Sequence, residues 1–478
     1  MTTKKDKVLV TTAIDYTNGV IHIGHAYQKI LADCIARYYR LKLGNEKVYF
    51  LTGTDEYGTT NEKAANARGL EPKQHVDEIS AKDREQLDVL NVSYDRFFRT
   101  TDSDHAKVAS EFYSKVLENG DIYKDMYTGL YCESCESYKT FSELNEDGQC
   151  LVHYYKEIQE IKEENYFFRW SKYADFLRGL VTSPRFVLPE GKKKEMLAFI
   201  ENGIKDIPVT RPKYKVSWGI TAPNDPEQVI YVWFDALINY YTAAQPKSFW
   251  DDSTEIIHIL GKDNAKWHVL LWPAMLKSAG IRVPDTIYVH GFINLEGQKI
   301  SKSRGNVILP SDLVNKYGAD TVRYYFLKHG PIVEDVDISL KHLEEVYNAD
   351  LANGLGNTVA RLAKLAENSG LDFPVAGNSF NYWEEVWPTQ PVSESFRVDV
   401  AIRNVWNKLA NLDHNINEDQ PWKLTGEDLK KVLTHQINQL RIISELIEPF
   451  IPETAKKIQT QFASLKIKAQ SPLFPRLV

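Results

Sequence analysis

Apolar spacing changes several times along the chain, and each spacing predicts a different element. Lys7 to Ile14 (KVLVTTAI) reads as a buried strand. Ala26 to Tyr39 then places Ile30, Cys34, Ile35 and Tyr38 on one face at helical spacing. A second apolar run, KVYFLTGTDEYG, ends in Asp55 and Glu56. Strand, helix and strand of these lengths predict a parallel unit with a right-handed crossover. Ligands of such sheets bind beyond the carboxyl ends of the strands, where this order puts Tyr16, His22, His25 and Asp55. The strand-to-helix turn is also where phosphate-binding folds keep their anion site. Yet TNGVIHIGHAYQ, residues 17–28, carries two histidines three apart and lacks the glycine-rich dinucleotide fingerprint. On the residues alone, Asp55 serves equally well as a helix cap.

Around Tyr113 to Gly129 the pattern turns to polar hairpins, and Tyr166 to Asn202 reads as helical and charged. Apolar strands are expected again from Val229, in VIYVWFDALINYY, IIHILGKDN and TIYVHGFINLEGQKISKSRGNVI. The expectation is one parallel sheet split by an insertion of roughly a hundred residues. From about Leu340 four stretches carry helical spacing: Leu343 to Leu365, Phe396 to Ile416, Leu429 to Ile447 and Thr454 to Phe462. They predict a helical bundle. The fold class is α/β, with the sheet domain in two halves, 1–115 and 226–339, around an insertion at 116–225, and the bundle at 340–478.

Composition adds bounds. A chain of 478 residues is too long for one core. Its net charge of −7 means that any nucleic-acid surface must be a local basic patch; Lys192 to Lys194 reads as an ordinary solvated face. No apolar run is long enough to span a bilayer, and no apolar segment follows the lysine-rich start, so a cytoplasmic protein without a membrane partner is expected. Four cysteines do not make a disulfide scaffold. Three of them cluster in YCESCESYKTFSELNEDGQCLVH, giving Cys132 and Cys135 in C-x-x-C, then Cys150 and His153 in C-x-x-H. Two such knuckles around a polar hairpin suit tetrahedral Zn2+ in a structural site, all four positions being filled by protein. A redox pair at Cys132 and Cys135 is the alternative. Cys34, on the apolar helix face, is expected to be a buried thiol.

Lys299 to Ser303 (KISKS) follows a strand and a Gly-containing turn at Glu296 to Gln298. Lysines and serines on a loop suit a polyphosphate whose charge rises during reaction, although a plain basic turn has the same composition. Together, HIGH at His22 to His25 and KISKS resemble the paired HIGH and KMSKS signatures of class I aminoacyl-tRNA synthetases. The segments AIDYTNGVIHIGHAY, GTDEYG, YVWFDALINY, GKDNAKWHVLLWPAML, VHGFINLEGQKISKSRGN, LGNTVAR and QPWKL extend the resemblance over nearly the whole chain, to the methionyl-tRNA synthetase family.

That resemblance implies a Rossmann-like catalytic domain, a zinc-bearing connective insertion and a helical anticodon-binding domain. It implies that methionine attacks ATP with Mg2+ assistance, giving methionyl-adenylate and pyrophosphate. The methionyl group then passes to the terminal adenosine of elongator and initiator methionine tRNA. Residue by residue, it implies catalytic roles for His22, His25, Lys299 and Lys302, with Gly261, Asp263 and Ile300 also on ATP. Asp55 would hold the substrate ammonium, and Ile14, Tyr16, Trp233, Ala236, Leu237, Tyr240 and His268 would line the side-chain pocket. Asn357, Arg361, Pro421 and Trp422 would meet the anticodon. Without the resemblance, Trp233, Tyr240 and Trp422 read as core residues.

The chain departs from the family pattern in places. Asp15 stands where proline is frequent, Ile300 replaces methionine, and Asn264 and Trp267 replace a branched apolar residue and a smaller aromatic. No appended tRNA-binding module follows SPLFPRLV, so a monomer is expected. Three rivals remain. One is a sibling synthetase of the cysteinyl or isoleucyl/leucyl/valyl type, the large apolar-specific members of which would need a longer insertion to hold an editing domain. A small nucleotidyltransferase would lack the C-terminal helices. An RNA-binding protein with a vestigial catalytic half would not keep the histidine and lysine signatures.

Overall fold

The computed structural model describes residues 5–132, 136–139, 141–151, 158–300, 307–375, 382–388 and 395–477. The chain opens with β1 (Lys7–Thr12), β2 (Asp15–Tyr16), α1 (Ile23–Leu43) and β3 (Val48–Asp55). Next come α2 (Thr59–Ala67), β4 (Arg96–Arg99), α3 (His105–Glu118) and β5 (Val187–Leu188). Two short helices, α4 (Val232–Leu237) and α5 (Asn239–Ala244), precede β6 (Thr254–Gly261) and β7 (Thr286–His290). The principal C-terminal helices are α6 (Asn357–Ser369), α7 (Val398–Asp419), α8 (Gly426–Leu446) and α9 (Pro452–Phe462). The chain divides into two compact units, one of residues 1–21, 45–85 and 94–289, the other of residues 22–44, 86–93 and 290–478.

The first unit is built on a seven-stranded sheet in the order β2–β3–β1–β6–β7–β5, with β4 also on β3. β1 pairs in parallel with β3 and with β6, and β3 with β2 and β4. Both central strands are buried at nearly every position, which is why their sequences run apolar and do not alternate. Leu9, Leu51, Ile256 and Leu260 from the sheet share one core with Phe112, Tyr113 and Val116 of α3. Each such side chain contributes about 1.5–3 kcal/mol by leaving water. A Cβ at Gly53 would fall 1.9 Å from the Phe98 carbonyl oxygen, so the approach of β4 requires glycine there.

Two expectations fail locally. The run VIYVWFDALINYY is a strand only as far as Ile230; α4 and α5 take the rest. Nearly all of it is buried, and a run buried all round carries no period that separates strand from helix. The charged segment from Tyr166 begins as strand. Gln159–Phe168 pairs antiparallel with Ile122–Cys132, from Tyr131↔Gln159 to Ile122↔Phe168, and helix starts only at Ala174. Between the helices Ala174–Thr182 and Glu190–Glu201 lies β5, which returns to the sheet and pairs with Ile287 and Tyr288.

In the second unit α1 buries Ile30, Cys34, Ile35 and Tyr38, and also Lys29 and Asp33. The Asp33 carboxylate lies 2.6 Å from Arg323 and 2.8 Å from Arg37. Burial pushes Asp33 up, but the two guanidiniums outweigh it and hold the carboxyl at about 2. Burial pushes the Cys34 thiol up, so it stays protonated and inert. Helices α6 to α9 turn Leu362, Leu409, Leu412, Leu433, Ile437, Leu440, Ile458 and Phe462 inward, the stripes that their spacing foretold. After Ile338 the described residues form no strand. No described helix is long and apolar enough to cross a membrane.

Candidate active site

At the carboxyl end of the sheet, β2 runs beside β3 so that Tyr16 is paired with Asp55. Trp233 meets Tyr16 edge-on, ring centroids 6.3 Å apart at 83°. It stacks on Trp267 at 4.5 Å and 17°, and Trp267 lies parallel to Trp170 at 6.4 Å. Trp267, a departure from the family pattern, is thus the surface that fixes the Trp233 ring. Ala236 and Leu237 of α4 are buried, and Ile14 is half-buried.

Tyr240 and His268 form a polar pair inside this aromatic cluster. The Tyr240 hydroxyl lies 2.7 Å from His268 Nε2, and Nδ1 of the same ring lies 3.0 Å from the Asn264 carbonyl. A carbonyl only accepts, so Nδ1 carries the proton and Nε2 accepts from Tyr240. Burial pushes His268 down to about 4, which keeps the ring neutral and this tautomer in place. Asn264, another departure, contributes here through its backbone.

Asp55 is 4% exposed, and its Oδ1 has no hydrogen-bond partner among the described residues. Burial, then the neighbouring Asp235, Glu136 and Glu56 charges, push its carboxyl well above the usual range. An acid held this way in an apolar cluster is a place for a cation. Gly261 ends β6, and Asp263 is exposed in the turn Lys262–Asn264 just beyond it.

In the second unit the two histidines terminate α1. His22 is the N-cap residue: its Nδ1 accepts from the Gly24 N–H at 3.1 Å, and the His25 Nδ1 accepts from the His22 N–H at 3.3 Å. The rings lie 3.9 Å apart. This reciprocal cap decides the tautomers. With both Nδ1 atoms accepting, each neutral ring carries its proton on Nε2 and is a donor there. No acidic residue sits in the first turn of this 21-residue helix. The His22 ring folds back over Gly24, where a Cβ would meet it at 2.8 Å. Histidines replace the expected glycines because side-chain donors, not backbone alone, are presented at this helix start.

The loop signature is partly visible. Asn294 pairs with Lys299 and Leu295 with Gln298 in a tight antiparallel hairpin, whose two turn residues, Glu296 and Gly297, have φ of 51° and 77°. Ile300 is buried at 4% exposure. The Lys299 side chain and Lys302 lie outside the described residues. Farther along, the Arg361 guanidinium sits 5.0 Å above the Trp422 ring and 3.6 Å from Asp413. Trp422 is 51% exposed, Asn357 is exposed at the start of α6, and Pro421 is buried. Cys132 and Cys150 are fully buried; Cys135 and His153 lie outside the described residues.

Two acidic groups that act on Asp55, and the histidine beside one of them, had no place in the sequence argument. Asp235 lay in view inside YVWFDALINY, but nothing marked it apart from its apolar neighbours. His105, 2.9 Å from Asp235, is too distant in sequence for any spacing to join them. Glu136 follows the first cysteine knuckle and accepts the Thr60 N–H at the start of α2.

The family described as tRNA synthetases class I (M) matches residues 8–363. The chain is 38% identical to the methionine--tRNA ligase of Clostridium perfringens, over 96% of this chain and 73% of that one. It is also 38% identical to the methionine--tRNA ligase of Thermosynechococcus vestitus, over 95% and 89%. Its fold superposes on Mycobacterium tuberculosis methionyl-tRNA synthetase in complex with methionyl-adenylate, with a TM-score of 0.87 and 32% identity over 98% of this chain and all of that one.

Proposed function

The chain belongs to the methionyl branch of the class I tRNA synthetases, and we propose that Asp55 and the aromatic residues around Trp233 hold methionine and that His22 and His25 supply donors to the ATP phosphates. It activates methionine with ATP and charges tRNA. The ammonium goes to Asp55. The thioether goes among Tyr16, Trp233, Ala236, Leu237, Tyr240 and His268, where sulfur against aromatic edges is favourable by about 0.3–1.5 kcal/mol per contact. Ile14 completes the wall. ATP enters as its Mg2+ complex, with its ribose toward Gly261 and Asp263. The methionine carboxylate oxygen bonds to the α-phosphorus, and the bond to the bridging oxygen breaks as pyrophosphate leaves. Charge grows on the leaving phosphates. The Nε2 donors of His22 and His25, with Lys299, Ile300 backbone and Lys302, meet that charge; such preorganised donors favour the transition state over the ground state. The tRNA terminal hydroxyl then attacks the acyl carbon and releases AMP. No protein side chain forms a covalent bond; positioning and charge supply the rate.

The observation that carries the methionine assignment is the buried Asp55 carboxylate, with an unpartnered oxygen beside a cluster of stacked indoles. Pyrophosphate exchange into ATP, run across all twenty amino acids, tests it. Methionine alone should support exchange, and Asp55→Asn should abolish it; exchange with another amino acid would refute the assignment.

The same reading gives Cys132, Cys135, Cys150 and His153 to one structural Zn2+, a thiolate–imidazole set of the kind this ion takes. Burial of both described thiols supports it. Asn357, Arg361, Pro421 and Trp422 would receive the anticodon: an exposed indole under a guanidinium is a stacking platform for an unstacked base. The chain would work as a monomer in the cytoplasm.

A further inference from the structure

The indole stack that ends on Trp233 carries a cation that the reaction above does not use. Trp233 is half-buried, and Trp267 stacks on it at 4.5 Å and 17°, a separation at which offset aromatic pairs attract. Lys266 precedes Trp267, and its ammonium lies 4.7 Å from the Trp267 ring centroid, within reach of a cation–π contact. The same ammonium donates to Glu143 Oε1 at 2.7 Å. Glu143 is 123 residues away in sequence, so no helix or hairpin brings the two together. The side chains of Lys266 and Glu143 are 21% and 28% exposed. An ion pair so open to water adds little to stability. Its effect is geometric: the carboxylate keeps a flexible four-carbon stem, and the charge at its end, over one ring.

Both ends of this strap are built firmly. Glu143 closes the turn Phe141–Glu143, and its carbonyl accepts the Leu151 N–H at 3.2 Å. Leu144 bridges to Cys150 just inside that bond. Farther in, the Asn145 N–H donates to the Gln149 carbonyl at 2.8 Å, and the Gln149 N–H donates to Asn145 Oδ1 at 2.8 Å. At the other end, Lys266 leads into a turn of π-helix, Trp267–Leu271, which carries both Trp267 and His268. Such turns recur at functional sites. Trp170, parallel to Trp267, donates its indole N–H to the Leu270 carbonyl of that turn at 3.3 Å. Trp267 is thus steadied by an anchored indole and by an anchored cation, and Trp233 takes its plane from Trp267.

We propose that Lys266, held by Glu143, is a positioning residue for substrate specificity: it fixes the Trp267 plane, and through it the Trp233 wall, at the width that admits a methyl thioether and resists a longer one. The proposal rests on Trp233 lining the methionine side-chain pocket. Neither Lys266 nor Glu143 touches substrate in this account; each acts through Trp267. Loosening the strap leaves the pocket's composition unchanged and lets its wall move. Methionine then binds less well, and the pocket separates it less sharply from ethionine, whose thioether is one methylene longer. A well-formed apolar pocket separates such a pair by about 10–200-fold.

The test is pyrophosphate exchange by the full chain with methionine and with ethionine, with thermal unfolding alongside. Lys266→Met keeps the length of the stem and removes the charge; Glu143→Gln removes the anchor from a different element, so either can serve if the other fails to fold. Each should raise KM for methionine by about three- to tenfold, the scale of one cation–ring contact, while kcat at saturating methionine moves little. The preference for methionine over ethionine in kcat/KM should fall by a similar factor. Lys266→Arg, which can keep both the ion pair and the cation over the ring, should restore the wild-type preference. The double variant Lys266→Met/Glu143→Gln should be no worse than Lys266→Met alone, because the two residues act in series. An unchanged preference in folded single variants, additive losses in the double variant, or an equal loss in Lys266→Arg overturns the proposal. Trp233→Ala separates it from the reading beneath: a wild-type KM and preference there would overturn the pocket assignment itself.

Discussion

Gly24→Ala should separate the fold of α1 from its chemistry. A Cβ at this position would lie 2.8 Å from His22 Cε1 and 3.0 Å from Nδ1, and real Cβ atoms do not approach so closely. The ring must swing away, because the helix backbone cannot. The bond from the Gly24 N–H to His22 Nδ1 is then lost, at a cost of about 0.5–2 kcal/mol for one cap. Alanine returns about 0.4–1 kcal/mol by restricting the unfolded chain. The net effect on stability should therefore lie between a gain of about 0.5 and a loss of about 1.6 kcal/mol. Activity should not be spared. One preorganised donor leaves the phosphate site, and losses of that kind slow reaction by about 10²–10³-fold. Methionine affinity without ATP should stay at the wild-type value, since the aromatic cluster and Asp55 belong to the other unit. The assay is methionine-dependent pyrophosphate exchange at saturating methionine, with thermal unfolding alongside. Wild-type exchange in a folded Gly24→Ala protein would refute the argument, because the ring could then leave its cap without consequence.

Trp422→Ala should weaken charging of a CAU-anticodon tRNA by roughly 1–3 kcal/mol and Arg361→Ala should also weaken it, while pyrophosphate exchange stays intact; a parallel loss of both activities would make either residue a packing element. Elemental analysis should find one zinc per chain, and Cys150→Ser should lose it; a native protein without metal would contradict the proposed site. Tyr240→Phe removes the donor to the buried His268 Nε2, should cost about 1–3 kcal/mol in stability, and should raise KM for methionine; an unchanged urea midpoint would count against the bond. His268 and His290 are both pushed down to about 4 by burial, so each stays neutral in the folded state while the unfolded chain takes up protons below about 6.5. Stability should be full above pH 6.5 and fall by up to about 1.4 kcal/mol per pH unit for each histidine on the way to pH 4, as read by urea midpoints; a flat profile would exclude neutral burial.

Much of the fold could be read in advance where one face of an element is buried and the other is not. The stripe of Ile30, Cys34, Ile35 and Tyr38 gave α1, and similar stripes gave α6 to α9, because 3.6-residue spacing leaves a visible period. Where burial is complete the period vanishes, and the sequence of Tyr231 to Tyr241 reads as strand for that reason. β5 escaped for another: two residues between charged helices carry too little pattern to announce a sheet edge. The site followed the same division. The histidine, Asp55 and lysine-loop signatures are local in sequence, so short motifs carried them. The His105–Asp235 contact depends on how α3 lies against α4, and no local spacing encodes it. Nor did spacing alone show that His22 would cap α1 rather than lie within it.

The pairing of β1 sets a timetable during synthesis. β1 lies in the middle of the sheet, and one of its neighbours, β3, emerges within a few dozen residues. The other is β6, with Lys7 opposite Thr254. A ribosome adding about 5–20 residues per second needs roughly 12–50 s to cover the distance. For that interval this buried strand has a finished side and a bare one, with the N–H and C=O groups of the bare side unpaired. The nascent chain is thus aggregation-prone at its amino end until more than half of it has been made.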